Sequence, residues 1–197
     1  TLDWPKENSN FDQFWPGIQV AGKDNLRQQT AMWQAMLMSA GLENSQQVLV
    51  FGFLTNKGEK MSKSRGNVID PVEIAQKYGD DILKYYLTKQ IPVFKDGNFS
   101  EEELQEIYTS ELANTLGNLI NRISSLISKY EIETSEDDFE LNENLNQEFK
   151  EKMENYNFNE AIKLLWEKIR DINEFLTQEK PWNLTDQEKI AKILKKE

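Results

Sequence analysis

The residues best suited to chemistry lie together in Lys57-Gly58-Glu59-Lys60-Met61-Ser62-Lys63-Ser64-Arg65-Gly66-Asn67. Four cations, two serines and two glycines fall within eleven residues of a chain whose net charge is −11. Lys60 and Lys63 stand three apart, with Ser62 and Ser64 interleaved. Two ammonium groups can share the charge of a triphosphate as it passes through a pentavalent transition state, and stabilising charge where it develops is usually the largest catalytic contribution. Lysine suits a mobile point charge better than arginine does. Gly58 and Gly66, at the edges, would let such a loop swing. The same letters also fit a solvated basic turn, which is what most charge runs are.

A second phosphate-like pattern, Gly17-Ile18-Gln19-Val20-Ala21-Gly22-Lys23-Asp24, satisfies the first seven positions of a P-loop. It places Asp24 where that motif needs a hydroxyl for Mg²⁺. Its strand candidate also falls between the glycines rather than before them, so a strand end followed by a capped helix is the better reading. Histidine and cysteine are both absent. Serine–histidine catalysis, histidine and thiolate metal sites and disulfides are therefore closed to the chain, and no metal site is expected in it. A run of about 18 apolar residues is lacking, so no membrane span is expected. The absence of cysteine is compatible with a reducing, cytoplasmic compartment.

The elements that must position these residues fall into an α/β part followed by an all-α part. Gln19–Ala21 predicts a short strand. Asp24 is placed to cap a helix carrying Leu26, Met32, Trp33, Met36 and Leu37 and ending at Gly41. Val48–Leu54 is a nearly continuous apolar run, as in a buried parallel strand, and the order strand–helix–strand predicts one βαβ unit of a doubly wound sheet. Asp70-Pro71 starts a helix that Gly79 ends, and Asp80 or Asp81 starts the next. From Ser100 the pattern is helical: Ser100 and Glu103 form a capping box, and Ile107, Leu112, Leu116, Leu119, Ile120, Ile123 and Ile127 share one face. Residues 131–151 read as an acidic connection. Phe158, Ile162, Leu165, Ile169, Ile172 and Leu176 stripe a second helix stopped by Pro181, and antiparallel helical neighbours follow from that pattern. Thr185 and Glu188 form another capping box. The chain begins at Thr1 without methionine and ends inside a helical pattern, so a fragment of a longer protein is expected.

Lys60-Met61-Ser62-Lys63-Ser64 is the unbroken signature loop of class I aminoacyl-tRNA synthetases, and its surroundings resemble the methionyl-tRNA synthetase family. The likeness runs through Trp15-Pro16, Gly22-Lys23-Asp24, Phe51-Gly52-Phe53-Leu54-Thr55, Gly58-Glu59, Arg65-Gly66-Asn67-Val68-Ile69-Asp70-Pro71, Tyr78-Gly79, Tyr85-Tyr86-Leu87, Leu112-Ala113-Asn114, Gly117-Asn118-Leu119 and Lys180-Pro181-Trp182. It covers essentially the whole chain. The resemblance implies the C-terminal part of a catalytic domain joined to an anticodon-binding domain. Residues 1–58 would be the C-terminal half of a Rossmann-like nucleotide fold, 59–108 the signature loop and stem-contact segment, and 109–197 a truncated helical anticodon-binding domain.

It further implies ATP-dependent activation of methionine and transfer to tRNA(Met), with Mg entering as part of the ATP complex. Lys63 would hold the ATP phosphates and Lys60 would support it, within an ATP-binding loop that includes Met61, Ser62 and Ser64. Gly22 and Asp24 would lie near the adenylate or amino acid. Asn118, Arg122 and Trp182 would read the anticodon. At about 100° per residue, Asn118 lies well off the Leu116, Leu119, Ile123 stripe and Arg122 on its flank, and an aromatic platform such as Trp182 suits an unstacked base.

Two departures bear on function. Where the family carries an aromatic or proline followed by the histidine of the methionine pocket, this chain has Gln28 and Gln29, a divergent amino-acid pocket. The family's other signature, His-x-Gly-His, is absent. The partner expected is therefore the missing N-terminal half of the catalytic domain, and the isolated chain is expected to be inactive. The rival readings are a stand-alone tRNA- or RNA-binding module, a divergent copy without methionine specificity, and an acidic helical interaction protein. With so acidic a balance, sequence-independent RNA affinity should be weak.

Overall fold

The structure, a computed structural model, describes residues 10–133 and 143–194, apart from the side chains of Lys63, Glu143 and Asn144. The chain divides into two compact units. One is drawn from residues up to Val68 together with Pro92–Asn98; the other from Ile69–Ile91 together with Phe99 onward.

In the first unit, α1 (Asn10–Phe14) leads into β1 (Ile18–Gly22). A short 3-10 turn (Lys23–Asn25) and a π turn (Gln28–Met32) enter α2 (Trp33–Ser39), and β2 (Gln47–Phe51) returns parallel to β1. The strand–helix–strand order is as the sequence predicts, with Ile18 opposite Gln47 and Gly22 opposite Phe51. Asp24 does not cap the helix. It lies inside the 3-10 turn, which Gly22 precedes without any side-chain cap. The far end follows the local rules closely: Gly41 takes φ +71°, Leu42 N–H donates to the Leu37 carbonyl at 2.9 Å and Gly41 N–H to Met38 at 3.1 Å. This is the paired closure that a left-handed glycine permits.

The apolar run 48–54 is not one strand. It breaks at Gly52, and β3 (Leu54–Asn56) then turns into β4 (Glu59–Lys60), with β5 (Gly97–Phe99) on the other side of β3. Nor are the parallel strands buried as their composition suggests. Only Ala21 and Leu49 are buried in β1 and β2, while Ile18 is 50% and Val20 67% exposed. Met32 of the π turn and Met36 and Met38 of α2 are exposed as well.

The second unit is helical. Asp70 accepts the Val72 N–H at 2.8 Å and starts α3 (Pro71–Tyr78); Gly79, at φ +99°, turns the chain directly into α4 (Asp80–Gln90). α5 (Glu101–Ile107), a π stretch (Tyr108–Gly117) and α6 (Asn118–Lys129) form one continuous helix. The i→i+5 bonding of that π stretch breaks the 3.6-residue period, so the apolar face does not continue as extrapolated. Leu119 and Leu126 are buried but Ile120 is 54% exposed. The acidic connection read over 131–151 is helical from 143 on: α7 (Glu143–Glu154) packs on α8 (Phe158–Glu179). Lys152–Glu148 and Lys150–Glu154 pairs at i,i+4 support a helix whose apolar content is low. In α8 the buried position belongs to Trp166 rather than Leu165, because Trp166 meets Tyr85 of α4 with centroids 6.4 Å apart. Lys180, left-handed at φ +46°, and Pro181 end α8. α9 (Gln187–Leu194) is capped by Asp186 rather than Thr185: its Oδ1 accepts from Glu188 and Lys189 N–H at 3.0 and 3.2 Å. Leu119, Leu176 and Ile193 meet at the core of α6, α8 and α9.

Tyr86, fully buried, organises the junction of α4 and α5. Ser100 Oγ accepts the Glu103 N–H at 3.2 Å, the first half of a capping box. The other half is missing, because the Glu103 carboxylate turns to Tyr86. The Ser100 N–H donates to Tyr86 Oη at 3.0 Å, and that hydroxyl donates to Glu103 Oε2 at 3.0 Å. Burial, opposed by the Ser100 bond and reinforced by the Glu103 carboxylate, pushes the Tyr86 hydroxyl up to about 12. The folded state thus keeps this proton at a pH where the unfolded tyrosine loses it. Its stabilisation is complete below about pH 10 and is lost as pH rises through about 12. Tyr86→Phe should lower stability in urea by about 1–3 kcal/mol at pH 8, by orphaning the Ser100 N–H. It should also reduce the fall in stability above pH 10; an unchanged unfolding midpoint would refute the role.

Candidate functional site: a clasped basic loop and a stacked tryptophan

β3 and β4 are joined by the two residues Lys57 and Gly58, both with positive φ (+53° and +78°). This is the turn whose twist suits an antiparallel hairpin, and it pairs Asn56 with Glu59 and Thr55 with Lys60. Gly58 is no free hinge, since its N–H donates to Asn98 Oδ1 at 2.8 Å. After the hairpin, Met61 and Ser62 lead to a 3-10 turn over Lys63–Arg65, closed by Arg65 N–H on the Ser62 carbonyl at 3.1 Å. Ser62 and Ser64 hydroxyls lie 2.7 Å apart. The Lys63 side chain lies outside the described residues. Asn67 clasps the loop from within. Its Oδ1 accepts the Ser62 N–H at 2.8 Å, its Nδ2 donates to the Lys60 carbonyl at 3.2 Å, and its own carbonyl accepts from Asn56 at 3.0 Å.

Around this loop the positive charges are treated unequally. Arg65 pairs with Glu59 at 3.5 Å. Lys23, just past β1, places its ammonium 2.6 and 2.7 Å from the two oxygens of Asp96. Asp96 Oδ1 also accepts the Phe53 N–H at 2.8 Å. Lys23 first, and then that N–H, hold the Asp96 carboxyl below its ordinary range. Lys60 lies over the Phe53 ring at 4.1 Å, and no carboxylate among the described residues reaches its ammonium. An open hollow of about 380 Å³ is lined by Lys23, Val50, Phe51, Gly52, Phe94 and Asp96.

Gly52 makes this assembly possible. A Cβ there would lie 2.1 Å from the Lys95 carbonyl oxygen and 2.6 Å from the Asp96 nitrogen, so only glycine admits the returning strand. Gly22 is next to Asp24, whose Oδ1 would meet a Cβ built on it at 2.8 Å. Asp24 and Gln28 are exposed. Gln29 is half-buried in the π turn, where its carbonyl accepts from Gln34 Nε2 at 2.9 Å.

In the second unit, Asn118 is exposed at the start of α6, and Arg122 lies one turn on. The Arg122 guanidinium stacks over the Trp182 ring at 4.7 Å. Buried Pro181 and the left-handed Lys180 set the turn that leaves Trp182 40% exposed. Trp182 is thus a platform with one cation on it rather than a buried anchor.

Sequence reading brings out the lysines and serines but misses Asp96 and Asn98, and takes Phe53 and Asn67 only as flanks. Asp96-Gly97-Asn98 has the letters of a turn, a usable signal. Its contacts with Lys23, Phe53 and Gly58, 40 or more residues away, are not local and leave no spacing to read.

The loop, the hairpin and the βαβ unit define a class. The sequence profile described as tRNA synthetases class I (M) matches residues 2–124, and the chain belongs to that family. The particular relatives are uniform. The methionine–tRNA ligase of Thermotoga maritima is 39% identical over 185 residues, 88% of this chain but 29% of that protein. The Nostoc methionine–tRNA ligase is 36% identical over 203 residues, 97% and 38% respectively. The crystal structure of Mycobacterium tuberculosis methionyl-tRNA synthetase bound by methionyl-adenylate superimposes with a TM-score of 0.85 at 30% identity, covering 98% of this chain and 41% of that one. The chain thus spans roughly a third of the length of the curated relatives it matches.

Gly52→Ala is expected to lower stability by at least about 1–3 kcal/mol, the usual cost of overpacking. It should also speed hydrogen exchange at the Phe53 and Gly58 amides, which depend on Asp96 and Asn98. Unfolding and exchange equal to those of the parent would show that the close approach is not a constraint.

Proposed function

We propose that this chain is the signature-loop and anticodon-reading portion of a methionine–tRNA ligase. The complete enzyme joins methionine to ATP, releasing pyrophosphate, and passes the methionyl group to tRNA(Met). The observation that carries the reading is the loop Lys60–Ser64 itself, set by a hairpin and by Asn67 at the end of a parallel βαβ unit. Within it Lys63 holds the ATP phosphates as charge develops, and Lys60 supports it. Mg²⁺ enters with ATP as part of the substrate. Met61, Ser62 and Ser64 shape the phosphate loop, Gly22 and Asp24 border the adenylate, and Gln28 and Gln29 stand in the amino-acid pocket. The reaction belongs in the cytoplasm with translation.

The domain reading that accompanies this is a C-terminal half of a Rossmann-like fold (1–58), the loop with the stem-contact segment (59–108) and an antiparallel helical anticodon-binding domain (109–197). A two-stranded parallel sheet, with exposed Ile18, Val20, Met32 and Met36, supports the existence of a further part of the fold, because parallel sheets are stable when both faces are covered. The isolated chain therefore holds part of an active site. Among the described residues, no helix is long and apolar enough to cross a membrane.

Two outcomes are expected of the purified chain. It catalyses no methionine-dependent ATP–pyrophosphate exchange. It does bind a tRNA bearing the CAU anticodon, weakly, and loses affinity when that anticodon is changed or when Trp182→Ala removes the platform, by about 5- to 150-fold for a stacking contribution of about 1–3 kcal/mol. Binding that ignores the anticodon would count against the reading.

A further inference from the structure

The Phe53 ring carries two ammonium groups, Lys23 at 4.3 Å and Lys60 at 4.1 Å from its centroid. Two like charges on one ring repel unless one of them is compensated. Asp96 supplies that compensation to Lys23, with both oxygens within 2.7 Å, and holds the Phe53 backbone by accepting its N–H. Among the described residues, Lys60 has only the ring. The hairpin brings it there: Lys60 is opposite Thr55, and Phe53 immediately precedes β3, two residues before Thr55, within diagonal reach of Lys60. A lysine at an exposed hairpin end ordinarily samples many rotamers, at a cost of about 2 kcal/mol to any ligand that must order it.

We propose that Phe53, anchored by Asp96, is a positioning residue that holds the ammonium of Lys60 ready for a polyphosphate. The inference rests on the loop being the ATP-phosphate loop. A ring face engages one side of an ammonium, and its remaining N–H donors are free for phosphate oxygens. The ring is neutral, so it restrains Lys60 without cancelling its charge. A carboxylate in the same place, as at Lys23, would cancel that charge.

Two measurements test this. In the 197-residue chain, ring current should shift the Lys60 Cε protons upfield, and Phe53→Leu should abolish the shift. In a full-length synthetase carrying these residues, Phe53→Leu should slow methionine-dependent ATP–pyrophosphate exchange about 2- to 5-fold, the equivalent of a cation–π contact of about 0.5–1 kcal/mol at an exposed site. Phe53→Trp should restore it. The same Phe53→Leu change made on top of Lys60→Met should have no further effect, which separates positioning from a general loss of structure. An unshifted Lys60 resonance, or equal effects of Phe53→Leu with and without Lys60, would overturn the proposal. Absence of exchange in the parent synthetase would instead overturn the functional reading on which it rests.

Discussion

The close approach of two backbones at Gly52 is the constraint on which the loop depends. With no side chain at that position, the segment 92–98 can lie against the end of β2, where Gly52 N–H meets the Val93 carbonyl and Gly97 N–H meets that of Phe53. That contact brings Asp96 and Asn98 to the base of the hairpin. Asp96 then ties Phe53 to Lys23, and Asn98 takes the Gly58 N–H at the hairpin tip. The loop's frame is therefore set from outside its own sequence, while Asn67 sets its interior from within. A loop framed in this way keeps a defined shape without giving up its charge.

Charge is the second theme. An acidic chain gathers cations on one hairpin, yet its carboxylates are not spread evenly over them. Asp96 answers Lys23 and Glu59 answers Arg65, while an aromatic ring takes Lys60. Exposed ion pairs contribute little to stability, so their effect here is better understood as deciding which cations are left to meet an anion. The same economy appears at Trp182, where a single arginine lies on an exposed ring in an otherwise acidic helical unit. A few placed cations suffice where recognition is local, whereas broad phosphate binding needs many.

What could be read from the sequence follows the range of the interaction. Asp70-Pro71, Gly41, Gly79 and the stop before Pro181 are decided by neighbours within a turn, and the sequence states them. The parallel βαβ order follows from apolar runs and their spacing. The π stretches at 28–32 and 108–117 carry no local letter that marks them, and the second turns Ile120 out of the core. α7 has too few apolar residues to announce itself and is supported by charge pairs instead. Ser100 and Glu103 have the right letters for a reciprocal cap, but Tyr86, fourteen residues away, takes the place of one partner. At the candidate site the lysines and serines were legible as types, and their frame was not, because Asp96, Asn98 and Gly52 act across some forty residues.

Lys63, in this loop, is proposed to stabilise the charge that develops on ATP when methionine is activated. The most direct measurement is methionine-dependent ATP–pyrophosphate exchange by a full-length synthetase carrying these residues, with and without Lys63→Ala. Loss of exchange by a factor on the order of 10² or more, as for removal of other groups that meet developing charge, is the expected result. Exchange at the parent rate in the Lys63→Ala enzyme would contradict it.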